Sequence, residues 1–190
     1  MEIGLYFGSF NPIHVGHLII ASYAKQTTAL QQVWLVVSPQ NPLKLSSSLL
    51  NEYHRLHLVK MTIEDDVNLR VTDVEFHLPK PSYTVHTLAY LTEKYPQHQF
   101  SIIMGSDSYT NLHKWKNYEH IIRNHKIYIF NRPGFEVTSP LNENIEFVDA
   151  PLLQISSTTI RAMIKKGLSI RYLVPEKAAK EIEDSRYYRD

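Results

Sequence analysis

Short apolar runs alternate along the chain with longer segments in which apolar side chains recur every three or four residues. The runs at residues 2–7, 33–37, 100–104, 126–130 and 145–148 predict buried strands, and residues 69–71 predict a shorter one with an extended continuation through Glu75 and Phe76. Between them, helical spacing predicts helices over 17–28, 83–94 and 118–124, and a C-terminal helical segment from about residue 157. Asn51 is placed to cap a further helix running to residue 63, with Leu56, Val59 and Ile63 as its apolar stripe. Strands that are apolar throughout and alternate with helices predict an α/β domain with a mainly parallel sheet covered on both faces. The whole chain, residues 1–190, reads as one such domain, because no repeat, low-complexity stretch or linker divides it.

In sheets of this kind ligands bind beyond the carboxyl ends of the strands, where the strand order reverses. The segment there is Gly8-Ser9-Phe10-Asn11-Pro12-Ile13-His14-Val15-Gly16-His17, a loop between the first strand and the first helix. A helix N-terminus presents unpaired N–H groups and partial positive charge, which suits phosphate. His14 and His17 are three residues apart and so project toward the same side of that helix end. Gly8 can take a positive φ and lets a ligand approach the backbone, Ser9 offers a hydroxyl and an N–H, Asn11-Pro12 stiffens the turn, and Gly16 leaves room beside the histidines for a bulky ligand. The competing reading is an ordinary strand-to-helix turn with two incidental polar residues. The loop carries neither the Gly-Lys-Ser/Thr ending of a P-loop nor Gly-x-Gly-x-x-Gly.

Other segments bear polar groups at comparable places. In Ile155-Ser156-Ser157-Thr158-Thr159-Ile160-Arg161, Ser156 or Ser157 caps a helix, and Arg161 lies one turn in, where it can fork onto phosphate oxygens. Pro81-Ser82-Tyr83-Thr84 opens the helix before the strand at 100–104, and its N–H groups suit a small carboxylate. Gly105-Ser106-Asp107-Ser108 follows that strand, with Trp115 shortly after, and Asn131-Arg132-Pro133-Gly134 follows the next. Read alone, the first is more simply an ordinary N-cap with a solvated Arg and Trp115 a core or rim residue, while the segments at Ser82 and Arg132 are equally a capped helix and a plain loop.

Composition narrows the partners. The net charge is +1 with histidines neutral, so any anion binding is local, and neither nucleic acid nor a membrane surface is an expected partner. There is no cysteine, no apolar run of spanning length and no signal-peptide pattern, and a cytoplasmic location is the default expectation. His54 and His57 sit on an amphipathic helix without further ligands to converge on a metal, so no protein metal site is predicted. The Lys165-Lys166 pair, together with Lys177 and Lys180, reads as a solvated helix face.

His14-Val15-Gly16-His17 resembles the T/H-x-G-H element of the nucleotidylyltransferase superfamily. The longer string resembles the Gly-Gly-Thr/Ser-Phe-Asp-Pro-x-His-x-Gly-His pattern of bacterial nicotinate-nucleotide adenylyltransferases, with Phe7 for a Gly and Asn11 for an Asp. Ile155–Arg161, Tyr172-Leu173-Val174-Pro175, Lys80-Pro81-Ser82-Tyr83-Thr84 and Gly105–Ser108 with Trp115 are similar to further blocks of that family, so the resemblance runs from Gly8 to Pro175. It implies a Rossmann-like doubly wound fold and transfer of AMP from ATP to nicotinate mononucleotide, giving nicotinate adenine dinucleotide and pyrophosphate. It also implies catalytic roles for His14, His17 and Arg161, and ATP binding by Gly8, Ser9, Phe10, Gly16, Lys44, Ser156, Ser157 and Thr158. Ser82, Tyr83, Thr84, Asp107 and Trp115 would then hold the mononucleotide, and Mg²⁺ would arrive bound to ATP. Lys44 lies in Asn41-Pro42-Leu43-Lys44, where the family has a His at the position of Leu43. The alternatives are a sister enzyme acting on nicotinamide mononucleotide or phosphopantetheine, and a sensor that holds ATP without turnover. Oligomeric state is not legible, though a small homodimer is compatible with the sequence.

Overall fold

In the computed structural model, residues 1–40, 49–135, 137, 139–151 and 154–189 are described. Asn41, Pro42, Leu43 and Lys44 lie outside them. Six strands form one parallel sheet in the order β3-β2-β1-β4-β5-β6. They are β1 (Glu2–Gly8), β2 (Gln32–Val37), β3 (Leu69–Thr72), β4 (Gln99–Gly105), β5 (Ile127–Phe130) and β6 (Ile145–Val148). Every pairing is parallel, so each connection is a crossover, and the two halves of the sheet diverge from the β1–β4 pair. This is the Rossmann-like, doubly wound arrangement.

Alternation along the strands divides the interior in two. Tyr6, Val33, Leu35, Val37, Ile103, Tyr128 and Phe130 face one side, where they meet α1 (Val15–Thr27), α2 (Glu52–Ile63), α6 (Ser157–Lys165) and α7 (Glu176–Asp184). Ile3, Leu5, Trp34, Val36, Ile102, Met104 and Ile129 face the other, against α3 (Thr84–Lys94), the short α4 (Ser106–Tyr109) and α5 (Tyr118–Asn124). Both faces are covered, which is why the strands read as uninterrupted apolar runs.

Four departures from the sequence reading have identifiable causes. Helix α1 begins at Val15 rather than His17, because His14 is extended (φ −146°, ψ 167°) and serves as its N-cap. Beyond β3 the chain does not continue extended. The Thr72 hydroxyl accepts the Val74 N–H at 3.2 Å and the Phe76 N–H returns to the Asp73 carbonyl at 2.8 Å, winding Val74–His77 into a 3₁₀ turn. The C-terminal helical segment is two helices. After α6, Gly167 takes φ +66° while its N–H binds the Ile164 carbonyl and that of Leu168 binds Met163, a Schellman ending. Lys177 on α7 is not merely solvated, since its Nζ pairs with Glu64 and, at 2.8 Å, with Asp65 beyond the end of α2.

Leu5 has no exposed surface and lies mid-strand in β1, among the apolar side chains of the second face. Leu5→Ala should lower unfolding free energy by about 3–4 kcal/mol in urea titrations, the range for emptying a well-packed aliphatic site.

Candidate active site

The carboxyl ends of β1 and β4 open into a cleft of about 690 Å³. Its walls bring together Gly8, Ser9, Phe10, Asn11, His14 and His17 from the first loop, Ser156, Ser157, Thr158 and Arg161 from α6 and its cap, and Thr84, Asp107, Trp115 and Arg132. Residues some 150 positions apart therefore share one cavity, and they are joined directly. Arg161 Nη1 donates to the Asn11 carbonyl at 2.7 Å, and the Ser157 hydroxyl donates to the Pro12 carbonyl at 2.9 Å.

The glycines act differently from the sequence reading. Gly8 has no positive φ; the left-handed residue is Phe10 (φ 44°), whose ring is only 1% exposed. That ring lies beneath Gly8, where a Cβ would come within 2.8 Å of it, and packs edge-on to His17 with centroids 5.0 Å apart. Phe10 thus meets the cleft mainly as backbone while its ring supports the loop. Gly16 makes room for protein rather than ligand, because a Cβ there would lie 3.0 Å from Nδ1 of His14.

The two imidazoles stack at 3.6 Å between centroids and 24° between planes. The His14 backbone N–H donates to Nδ1 of His17 at 3.2 Å. An Nδ1 that accepts leaves the proton of the neutral ring on Nε2, so His17 keeps one N–H donor. Burial, with Arg132 adding repulsion, lowers the His14 pKa from 6.5 to about 4. Burial, followed by His14 and Arg132, holds His17 well below its ordinary value. Both rings are neutral at pH 7. Burial also pushes the neighbouring Tyr6 hydroxyl up to about 12, so it too is uncharged.

At the α6 end, Ser156 is the cap, and its Oγ accepts the Thr159 N–H at 3.1 Å. The first-turn N–H groups of Ser157 and Thr158 have no intrahelical carbonyl to bind. Arg161 also approaches the Thr158 hydroxyl at 3.5 Å. The hydroxyl of Ser157 is committed to Pro12, so what Ser157 offers a ligand is backbone.

The cleft is also lined by Thr84, Asp107, Trp115, Lys114, Lys116 and Glu75. Two sequence expectations are corrected here. Ser82 neither caps α3 nor lines the cleft; it is buried, and its hydroxyl donates to Glu75 Oε2 at 2.9 Å. Tyr83, the actual N-cap, also lies off the lining, with its ring 4.8 Å from the Lys116 ammonium. Thr84, first residue of α3, does reach the cleft, and its N–H belongs to the unpaired set at that helix start. Asp107 Oδ1 lies 3.2 Å from Arg132 Nε without hydrogen-bond alignment and has no other partner among the described residues.

Sequence reasoning left Arg132 undecided and passed over Glu75 and Arg55. Arg132 is the second residue after β5, at the same end of the sheet as the site residues that follow β1 and β4. Glu75 is 2% exposed, accepts the Ser82 and Thr87 hydroxyls, and burial raises its pKa. Its neighbours Val74 and Phe76 gave no sign of this in the sequence. Arg55 did carry a signal, falling four residues before Val59 on the stripe assigned to the core.

Residues 5–163 match the cytidylyltransferase-like family model. Probable nicotinate-nucleotide adenylyltransferases from Flavobacterium psychrophilum (49% identical, all of both chains) and Cytophaga hutchinsonii (50%, covering 99% of this chain and 98% of that one) are among its relatives. One from Bacteroides fragilis is 43% identical, covering 95% of this chain and 90% of the relative. The fold is shared with Plasmodium falciparum nicotinic acid mononucleotide adenylyltransferase complexed with NaAD, at a TM-score of 0.83 and 21% identity over 98% of this chain and 97% of that one. With a cleft at the strand switch and near-half identity along its full length, the chain belongs to the nicotinate-nucleotide adenylyltransferase family.

Proposed function

We propose that this chain transfers the adenylyl group of ATP to nicotinate mononucleotide, releasing pyrophosphate. The observation that carries the reading is a cleft lined by the His14/His17 loop and the α6 cap together with Thr84, Asp107 and Trp115. The first group is built of helix starts and guanidinium, as a triphosphate requires. The second offers a helix N-terminus for a carboxylate, an indole for a pyridine ring and a carboxylate for ribose hydroxyls.

The mononucleotide phosphate oxygen attacks the α-phosphorus of ATP in line, and the bond to the pyrophosphate oxygen breaks. No protein nucleophile is needed, so the chain contributes positioning and stabilisation of charge in the transition state. His17, through Nε2–H, and His14 face the α-phosphate as neutral donors. Arg161, Ser9 and the N–H groups of the α6 start hold the outer phosphates, and Arg132 stands between the two substrates. Mg²⁺ enters as part of the ATP substrate, held by phosphate oxygens and water, as suits an ion that dehydrates reluctantly. The described carboxylates of the cleft fit this, for Glu75 is occupied by two hydroxyls and Asp107 faces Arg132.

An assay of pyrophosphate release with ATP-Mg²⁺ and nicotinate mononucleotide, nicotinamide mononucleotide or phosphopantetheine tests the reading. Nicotinate mononucleotide should give the highest kcat/KM; release with phosphopantetheine alone, or phosphate release with no acceptor, would overturn it. His17→Ala should lower kcat by about 10²- to 10³-fold, the scale of removing one preorganised donor to a developing oxyanion. Near-normal turnover would reject the role. The low pKa of His14 has a further consequence. As pH falls below 6.5 the unfolded chain takes up the proton that folded His14 refuses until about pH 4, so stability falls with pH in that window. His14 alone should cost about 2 kcal/mol between pH 7 and pH 5, and urea unfolding of His14→Gln should lack that component.

A further inference from the structure

Arg55 has no exposed surface, and among the described residues no carboxylate pairs with its guanidinium. It is compensated by main-chain carbonyls instead. Nε donates to Leu50 at 2.7 Å, Nη1 to Ser9 at 2.6 Å and to Ser38 at 2.8 Å, and Nη2 to Pro39 at 3.1 Å. Glu52 acts on the guanidinium only from beyond ion-pair distance, and burying a cation without a contacting counter-ion is costly, so an apolar side chain of similar size would fill a core position more cheaply. What Arg55 does that Leu or Met cannot is hold carbonyls of two loops, the one after β1 and the one after β2, both of which line the cleft through Ser9 and Ser38.

The Ser9–Phe10 peptide is trans, so its C=O and N–H point in opposite directions. With the Ser9 carbonyl turned down onto the buried guanidinium, the Phe10 N–H is turned up to the cleft side of the loop. Phe10 reaches this arrangement with a left-handed φ, a conformation a bulky residue keeps only where its surroundings impose it. The buried cation also lies directly beneath the loop, where its field adds to that of Arg161 on the other side.

We propose that Arg55 is a positioning residue for the ATP triphosphate, orienting the Ser9–Phe10 peptide so that its N–H faces the phosphates. This rests on the reading that the cleft binds ATP. The test compares wild type, Arg55→Lys, Arg55→Gln and, as a control, Leu58→Ala, a fully buried residue on the same helix. Binding of the Mg²⁺ complex of α,β-methylene-ATP is measured by calorimetry, KM and kcat by pyrophosphate release, and Tm by thermal unfolding. Lysine keeps the charge, but its one nitrogen cannot stand at the three positions from which Nε, Nη1 and Nη2 reach Leu50, Ser9, Ser38 and Pro39, so Arg55→Lys should raise the analogue Kd and the KM for ATP roughly tenfold, the loss of one charge-assisted hydrogen bond. Arg55→Gln should raise them further, while Leu58→Ala lowers Tm with KM for ATP within about twofold of wild type. The proposal is overturned if Arg55→Lys keeps wild-type KM, if Leu58→Ala raises KM equally, or if both Arg55 variants fail to fold, since the residue would then serve the fold at large. Failure of wild type itself to bind the analogue would instead remove the functional reading beneath it.

Discussion

The site depends on how one short loop disposes of its main-chain carbonyls. Buried carbonyls must find donors, and whichever side those donors occupy decides where the intervening N–H groups point. Between Gly8 and Pro12 the donors come from the surrounding protein: the Ser38 N–H for Gly8, Arg55 for Ser9, Arg161 for Asn11 and the Ser157 hydroxyl for Pro12. The Asn11 side chain adds a fifth tie by accepting the Leu50 N–H at 3.1 Å. A loop so fastened has little freedom to rearrange, and fixed donors of this kind are what electrostatic preorganisation requires.

The same fastening explains why a nearly neutral protein can attract a polyanion. The chain carries a net charge of +1, yet Arg132 and Arg161 both line the cleft, and Arg55 lies beneath the loop. The histidines add no charge, because burial, with Arg132 adding repulsion, keeps them neutral. The division is physically coherent. Permanent guanidinium charge supplies the field, and neutral imidazoles supply directed donors whose protonation does not drift near pH 7.

Much of this was legible in the sequence because the signals were strong where burial is complete. Strands covered on both faces read as apolar runs, and β6 and α5 stand where the periodicity put them. The two segments that meet across the cleft, the His14/His17 loop and the serine cap with Arg161, were legible because helix starts have chemical signatures of their own. What was missed concerns side chains turned inward. Nothing local distinguishes a Ser82 that caps a helix from one bonded to a buried Glu75, since the partner arrives from another crossover. The glycines misled for a related reason. Gly8 and Gly16 were read as space for a ligand, whereas the space is filled by Phe10 and His14 themselves.

The bridge between Arg161 and Asn11 spans 150 residues. During synthesis the first loop therefore emerges long before the guanidinium and hydroxyl that hold two of its carbonyls. When the chain has emerged only as far as β4, the Asn11 and Pro12 carbonyls still lack those partners, and the face of the sheet that α6 and α7 cover is still open. The capacity to grip a nucleotide is thus among the last properties the growing polypeptide acquires, arriving with α6 rather than with the strand that bears the motif.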